Sequence, residues 1–156
     1  SLSAAYRGGV TLDVAGVSMS VAYDPGESTT RLFGGNSNWR GPVWFPINVL
    51  LIDGLRGHAT AAGGSLQAEY PTGSGSTRGL REPADDLERR LVSLCRPDAD
   101  GRRPGTPRDH PSGPLWDVHV TFAEYFDGDT GRGCGASHQT GWTARVAHLV
   151  CAKPLS

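Results

Sequence analysis

The sequence has almost no net charge, few cysteines and no long apolar run. Its 156 residues carry 15 Lys and Arg against 16 Asp and Glu, so no broad field is present to attract nucleic acid or an anionic membrane surface. The longest apolar stretch, residues 43–55, is interrupted by Pro46, Asn48 and Asp53. It falls short of the roughly 20 residues that a membrane span requires. Cys95, Cys134 and Cys151 show neither Cys-x-x-Cys nor zinc spacing, which points to reduced thiols and a cytoplasmic setting. No basic, then apolar, then small-residue leader follows Ser1. The chain does not begin with Met, and its true start is expected elsewhere. Leu, Ile, Val and Phe make up about one-fifth of the residues, near the level at which disorder is suspected. The balanced charge argues for a folded chain.

What is abundant is the loop-forming pair, with 22 Gly and 11 Pro. The length fits one domain. Val10, Leu12 and Val14, then Val17, Met19, Val21 and Tyr23, alternate with polar residues around Ala15-Gly16, which predicts a β-hairpin over 10–23. Pro42 or Pro46 can occupy the first turn of a helix that continues through Val43, Ile47, Leu50, Leu51, Ile52 and Leu55 and stops near Gly63-Gly64. Leu80, Ala84, Leu87, Leu91 and Leu94 step by four, three, four and three, predicting a second helix with Pro83 in its first turn. Residues 96–114, rich in Pro and Gly, read as a loop. Alternation of Trp116, Val118, Val120 and Phe122 predicts a strand over 116–126. A last helix is expected from Thr140 as its cap, with Trp142, Val146, Leu149 and Val150 on one face.

Residues 33–48 and 122–143 are dense in aromatic, amide and charged side chains that a core does not need. Indole faces stack on sugar C–H bonds while Asn, Arg and Asp hold hydroxyls, so this composition suits a carbohydrate site. Glu124 stands among Phe122, Tyr125 and Phe126. Partial desolvation there suits an acid or base that Tyr125 could orient, although the same spacing fits a surface Glu. Asp127 and Asp129 compete with it, and Asp-Gly-Asp-Thr-Gly has the look of a calcium-type loop. It lacks the further ligands of an EF-hand. The His residues have no two-ligand spacing, and neither metal nor cofactor is expected.

Gly-Gly-Asn-Ser-Asn-Trp-Arg-Gly-Pro-Val-Trp-Phe-Pro-Ile-Asn at 34–48 is followed by Glu-Tyr-Phe-Asp-Gly-Asp-Thr-Gly-Arg-Gly at 124–133 and Ser-His-Gln-Thr-Gly-Trp-Thr at 137–143. Together they resemble glycoside hydrolase family 63, above all its bacterial mannosyl-oligosaccharide glucosidase and mannosylglycerate-hydrolase-like members. The likeness covers about residues 24–150. It departs at 101–114, which is richer in Pro and Gly than in relatives, and at Ala123, Asp127 and Cys134.

The resemblance implies a mostly α fold, the C-terminal portion of an (α/α)6 toroid with a β-hairpin near its N-terminus and long loops. Twelve helices with their connections need on the order of 190 residues, so 1–156 is expected to be a partial catalytic domain whose partner is the missing N-terminal part of the same barrel. The implied activity is hydrolysis of α-glucosidic or α-mannosidic bonds, with inversion, in oligosaccharides or small glycosides. Glu124 would be the general base, and the general acid would lie outside this chain. Trp39 and Arg40 would line the sugar subsite, with Asn36, Asn38, Asn48, Tyr125, Asp129, Gln139 and Trp142 as further contacts. Trp44, inside the helical run, suits packing better. The chain alone is expected to be inactive and to expose Leu87, Leu91 and Leu94. The alternative is a non-catalytic carbohydrate-binding or scaffold remnant.

Overall fold

A computed structural model describes residues 2–31, 39–107, 110 and 113–151. After a 3₁₀ turn at Ala4–Tyr6, strands β1 (Val10–Val14) and β2 (Val17–Val21) pair antiparallel, with Leu12 opposite Met19 and Val14 opposite Val17. The two-residue turn takes positive φ at Ala15 (50°) and Gly16 (79°), as a twisted hairpin requires. Ala15 is the one non-glycine with positive φ among the described residues.

Helices α1 (Phe45–Ala61) and α2 (Arg81–Cys95) form the framework. Pro46 opens α1 and Pro83 lies in the first turn of α2, where the missing amide removes no helical bond. Between them β3 (Gln67–Glu69) and β4 (Thr77–Gly79) make a small hairpin that polar composition conceals. Phe45, Val49 and Ile52 of α1 meet Ala84, Leu91 and Val92 of α2 in one core, joined by Ala123, Phe126, Val146 and Leu149. Leu91 is buried, and Leu87 and Leu94 pack on its edge, so the expectation that this face would be bare is corrected. The exposed leucines of the framework are instead Leu50 (67%) and Leu51 (53%) on the outer side of α1.

The C-terminal third departs further from the periodicity. Residues 114–118 form helix α3 (Pro114–Val118), and only β5 (Tyr125–Phe126) is extended and paired, with β6 (Gly133–Cys134). Pro114 presets the backbone for a helical first turn, and among the described residues no sheet face covers Leu115 or Val118, both exposed. The expected last helix is two: α4 (Thr140–Thr143) and α5 (Val146–Cys151). Gln139, not Thr140, caps the first, its side-chain oxygen accepting from the Gly141 N–H at 3.1 Å. The buried Thr143 hydroxyl donates to the Ala123 carbonyl, which pins α4 beside the segment that leads into β5. Val150 is exposed rather than on a buried face. The described residues thus combine five α-helices with three two-stranded sheets and long irregular stretches, and do not close a barrel. None of their helices is long and apolar enough to cross a membrane. The three cysteines are free thiols, and burial pushes the Cys95 thiol up to about 11.

Candidate active site

The two aromatic-rich segments meet through one backbone exchange. The Val43 N–H donates to the Phe126 carbonyl at 2.7 Å, and the Phe126 N–H returns a bond to Val43 at 2.9 Å. This antiparallel bridge sets Trp44 against Tyr125, rings stacked with centroids 4.5 Å apart. Trp142 closes from the side at 5.5 Å and Trp39 at 6.1 Å. Trp44 is buried, whereas Trp39 is 57% exposed. Trp39, Trp44, Pro46, Ile47 and Trp142 enclose an apolar slot of about 90 Å³. Trp44 therefore packs, although it stands as the extended residue before α1 and not inside the helix, and Trp39 presents its indole to solvent.

Glu124 precedes Tyr125 and is half-buried. Its backbone N–H donates to the Ala136 carbonyl at 2.9 Å, and the Ala136 N–H donates to its Oε2 at 3.0 Å. A carboxylate held by a backbone amide has a fixed direction. Tyr125 does not orient it: the Tyr125 hydroxyl donates to Glu27 Oε2 at 2.8 Å. Burial first, then that bond, raises Tyr125 far above the ordinary tyrosine range, so its hydroxyl remains a donor at any physiological pH. Glu27 Oε1 accepts from the Gly135 N–H at 2.7 Å. Glu27 is the residue that sequence reasoning missed, because a lone acid in a Gly- and Ser-rich loop has no spacing to mark it.

The remaining sequence-predicted residues are scattered in their commitments. Arg40 is exposed beside Trp39. Asn48 donates to the Trp44 carbonyl at 2.8 Å within α1, and the Gln139 side chain is engaged in capping α4. Asn36 and Asn38 lie outside the described residues. Asp127 turns onto its own loop, accepting from the amides of Asp129 (2.9 Å) and Thr130 (2.8 Å). Among the described residues no three His, Cys, Asp or Glu side chains gather as metal ligands.

Asp129 faces the N-terminal hairpin. Arg7 donates to both of its oxygens at 2.9 Å, and the Tyr23 hydroxyl adds a third bond at 2.9 Å. The Arg7 bonds first, then Tyr23, hold Asp129 below its ordinary value of 3.8. A depressed carboxylate contributes stability above its unfolded value and loses it as pH falls through the folded one. The tether is therefore expected to be intact at neutral pH and to open only in acid below the usual Asp range. Hydrogen exchange of the β1 and β2 amides checks this: Asp129→Asn should raise exchange at pH 7 as acid does in the parent. Equal protection in both proteins would mean that these bonds do not hold the hairpin.

Comparison with protein families matches residues 14–143 to the mannosylglycerate hydrolase MGH1-like glycoside hydrolase domain. Among curated proteins the chain is similar to the uncharacterized protein YMR196W of Saccharomyces cerevisiae, 48% identical over 143 residues. That match covers 89% of this chain and 13% of the yeast protein, so the chain spans a small part of its relative's length. No solved structure matches.

Proposed function

Because this chain belongs to the mannosylglycerate hydrolase MGH1-like glycoside hydrolase family, we propose that it forms the C-terminal part of an (α/α)6 toroid hydrolysing α-glucosidic or α-mannosidic bonds with inversion. The substrate is an oligosaccharide or a small glycoside. One observation carries the reading: Glu124 is half-buried and fixed by the Ala136 amide one residue from a tyrosine stacked in a three-indole cluster. Its Oε2 is engaged, and Oε1 has no partner among the described residues. That oxygen takes the proton from a water as the water attacks the anomeric carbon. A carboxylic acid from elsewhere in the same barrel protonates the leaving oxygen on the opposite face. Trp39 stacks on the sugar ring and Arg40 donates to its hydroxyls, with Trp142 on the rim; Asn36 and Asn38 are proposed as further hydroxyl partners. Gln139 contributes by holding α4, and Asn48 and Asp129 contribute through the backbone and the hairpin they bind.

Hydrolysis of α-glucosides and α-mannosides by the full-length protein, followed by proton NMR of the first-formed anomer, tests the assignment. Release of the β-anomer supports it. Release of the α-anomer excludes Glu124 as an inverting base, and binding without turnover favours a carbohydrate-binding remnant.

Gly135 supplies an independent check. Its φ is +69°, and a Cβ there would stand 2.6 Å from Glu124 Oε2 and 2.6 Å from the Tyr125 ring. Gly135→Ala is expected to destabilise the loop by about 1–2 kcal/mol. By displacing the base it should lower kcat about 10²-fold. Unchanged kcat in a folded Gly135→Ala protein would detach this turn from catalysis.

A further inference from the structure

Glu27 is exposed, yet both of its oxygens are anchored, one by the Tyr125 hydroxyl and the other by the Gly135 amide. An exposed carboxylate ordinarily swings in solvent, and anchoring it from two elements costs side-chain freedom. The anchored group stands at the wall of an open cleft of about 440 Å³, lined also by His110, Trp116, Thr121, Arg132 and Ser137. That volume lies in the range of small-molecule sites. We propose that this cleft is a second carbohydrate subsite, in which Glu27 accepts the hydroxyls of a neutral sugar ring or polyol joined to the one cleaved at Glu124.

Three features favour that ligand class. Each Glu27 oxygen accepts a bond from the protein and has capacity for another, and vicinal hydroxyls are the donors that a carboxylate takes in pairs. Arg132 and the Ser137 and Thr121 hydroxyls line the same space and can donate to sugar oxygens. Trp116, in edge contact with His110 at 5.4 Å, brings an aromatic surface for C–H faces.

The cleft also adjoins the proposed base. The Gly135 N–H serves Glu27 and the next amide, Ala136 N–H, serves Glu124. Successive amides of one turn thus position both carboxylates, which sets the cleft wall beside the proposed base. Tyr125 links the two sides, with its ring on Trp44 and its hydroxyl on Glu27.

This inference rests on reading Glu124 as the site of cleavage, and the test separates the two. In the full-length protein carrying Glu124→Gln, binding of α-linked glucose and mannose disaccharides is measured by calorimetry, alongside the methyl α-glycosides of the same sugars. Adding Glu27→Ala should raise the disaccharide Kd about ten- to hundredfold, the range for a lost bond to a charged group. The methyl glycosides, which occupy one ring only, should be little changed. Should Glu27→Ala fail to fold, Trp116→Ala, which leaves the Tyr125 and Gly135 bonds intact, is expected to reproduce the selective loss. Disaccharide affinity within threefold of the parent, an equal loss for the methyl glycosides, or no binding of either by the parent would overturn the proposal. Full turnover by Glu124→Gln with the selective loss intact would instead overturn the reading of Glu124 and leave the cleft standing.

Discussion

Replacing Glu124 by Gln in the full-length protein is expected to lower kcat by about 10²–10⁴-fold, the usual contribution of a positioned acid or base, with KM little changed. Gln is close in shape to Glu and still offers an amide oxygen to the Ala136 N–H, which in the parent donates to Glu124 Oε2 at 3.0 Å. The loop should therefore keep its geometry and the protein its melting temperature. What is lost is a group able to take a proton from water. Since the water is engaged in the transition state, kcat and kcat/KM should fall together. Steady-state kinetics on an α-glucoside or α-mannoside that the parent hydrolyses, with thermal melts in parallel, decide the matter. A kcat within a few-fold of the parent would remove Glu124 from the chemistry.

Phe126→Ala should have the largest effect on stability, about 3–5 kcal/mol, the cost of removing a buried aromatic ring from a packed core. Phe126 is 1% exposed and meets Phe45 with ring centroids 5.5 Å apart. Its backbone carries the bridge to Val43. The ring also lies close over Gly105: a Cβ at Gly105 would come within 2.7 Å of it, so the loop has little room to collapse into the void. Hydrogen exchange of the α1 and α2 amides should report a fall in opening free energy of this size. Leu115→Ala, at an exposed position, should stay within about 0.5 kcal/mol. Matching exchange in Phe126→Ala and the parent would show that the core does not depend on this ring.

Residues that act through local rules are legible in the sequence. A three-four step of leucines, with Pro83 in the first turn, specifies α2 because helix faces repeat every 3.6 residues. Pro46 and the apolar steps after it do the same for α1, and alternation around Ala15-Gly16 specifies the hairpin. The two aromatic-rich segments, and Glu124 within them, stand out because a core does not need such side chains. The stretch at 116–126 misleads for the complementary reason. Alternation makes a strand only where a sheet face exists to receive it, and here Pro114 begins a helix instead.

The sequence by itself thus determined the helical framework, the N-terminal hairpin, the family, and the segments from which the candidate site is built. Only the tertiary structure decided where the polar side chains end. Glu27 lies 98 residues from Tyr125 and 108 from Gly135, and Arg7 lies 122 residues from Asp129. No periodic pattern connects such positions. A hydrogen bond forms with whichever partner the packing of α1, α2 and the β5–β6 turn brings within about 3 Å, and that is a property of the folded chain as a whole. Tyr125 therefore serves Glu27 rather than Glu124, and Asp129 serves the hairpin.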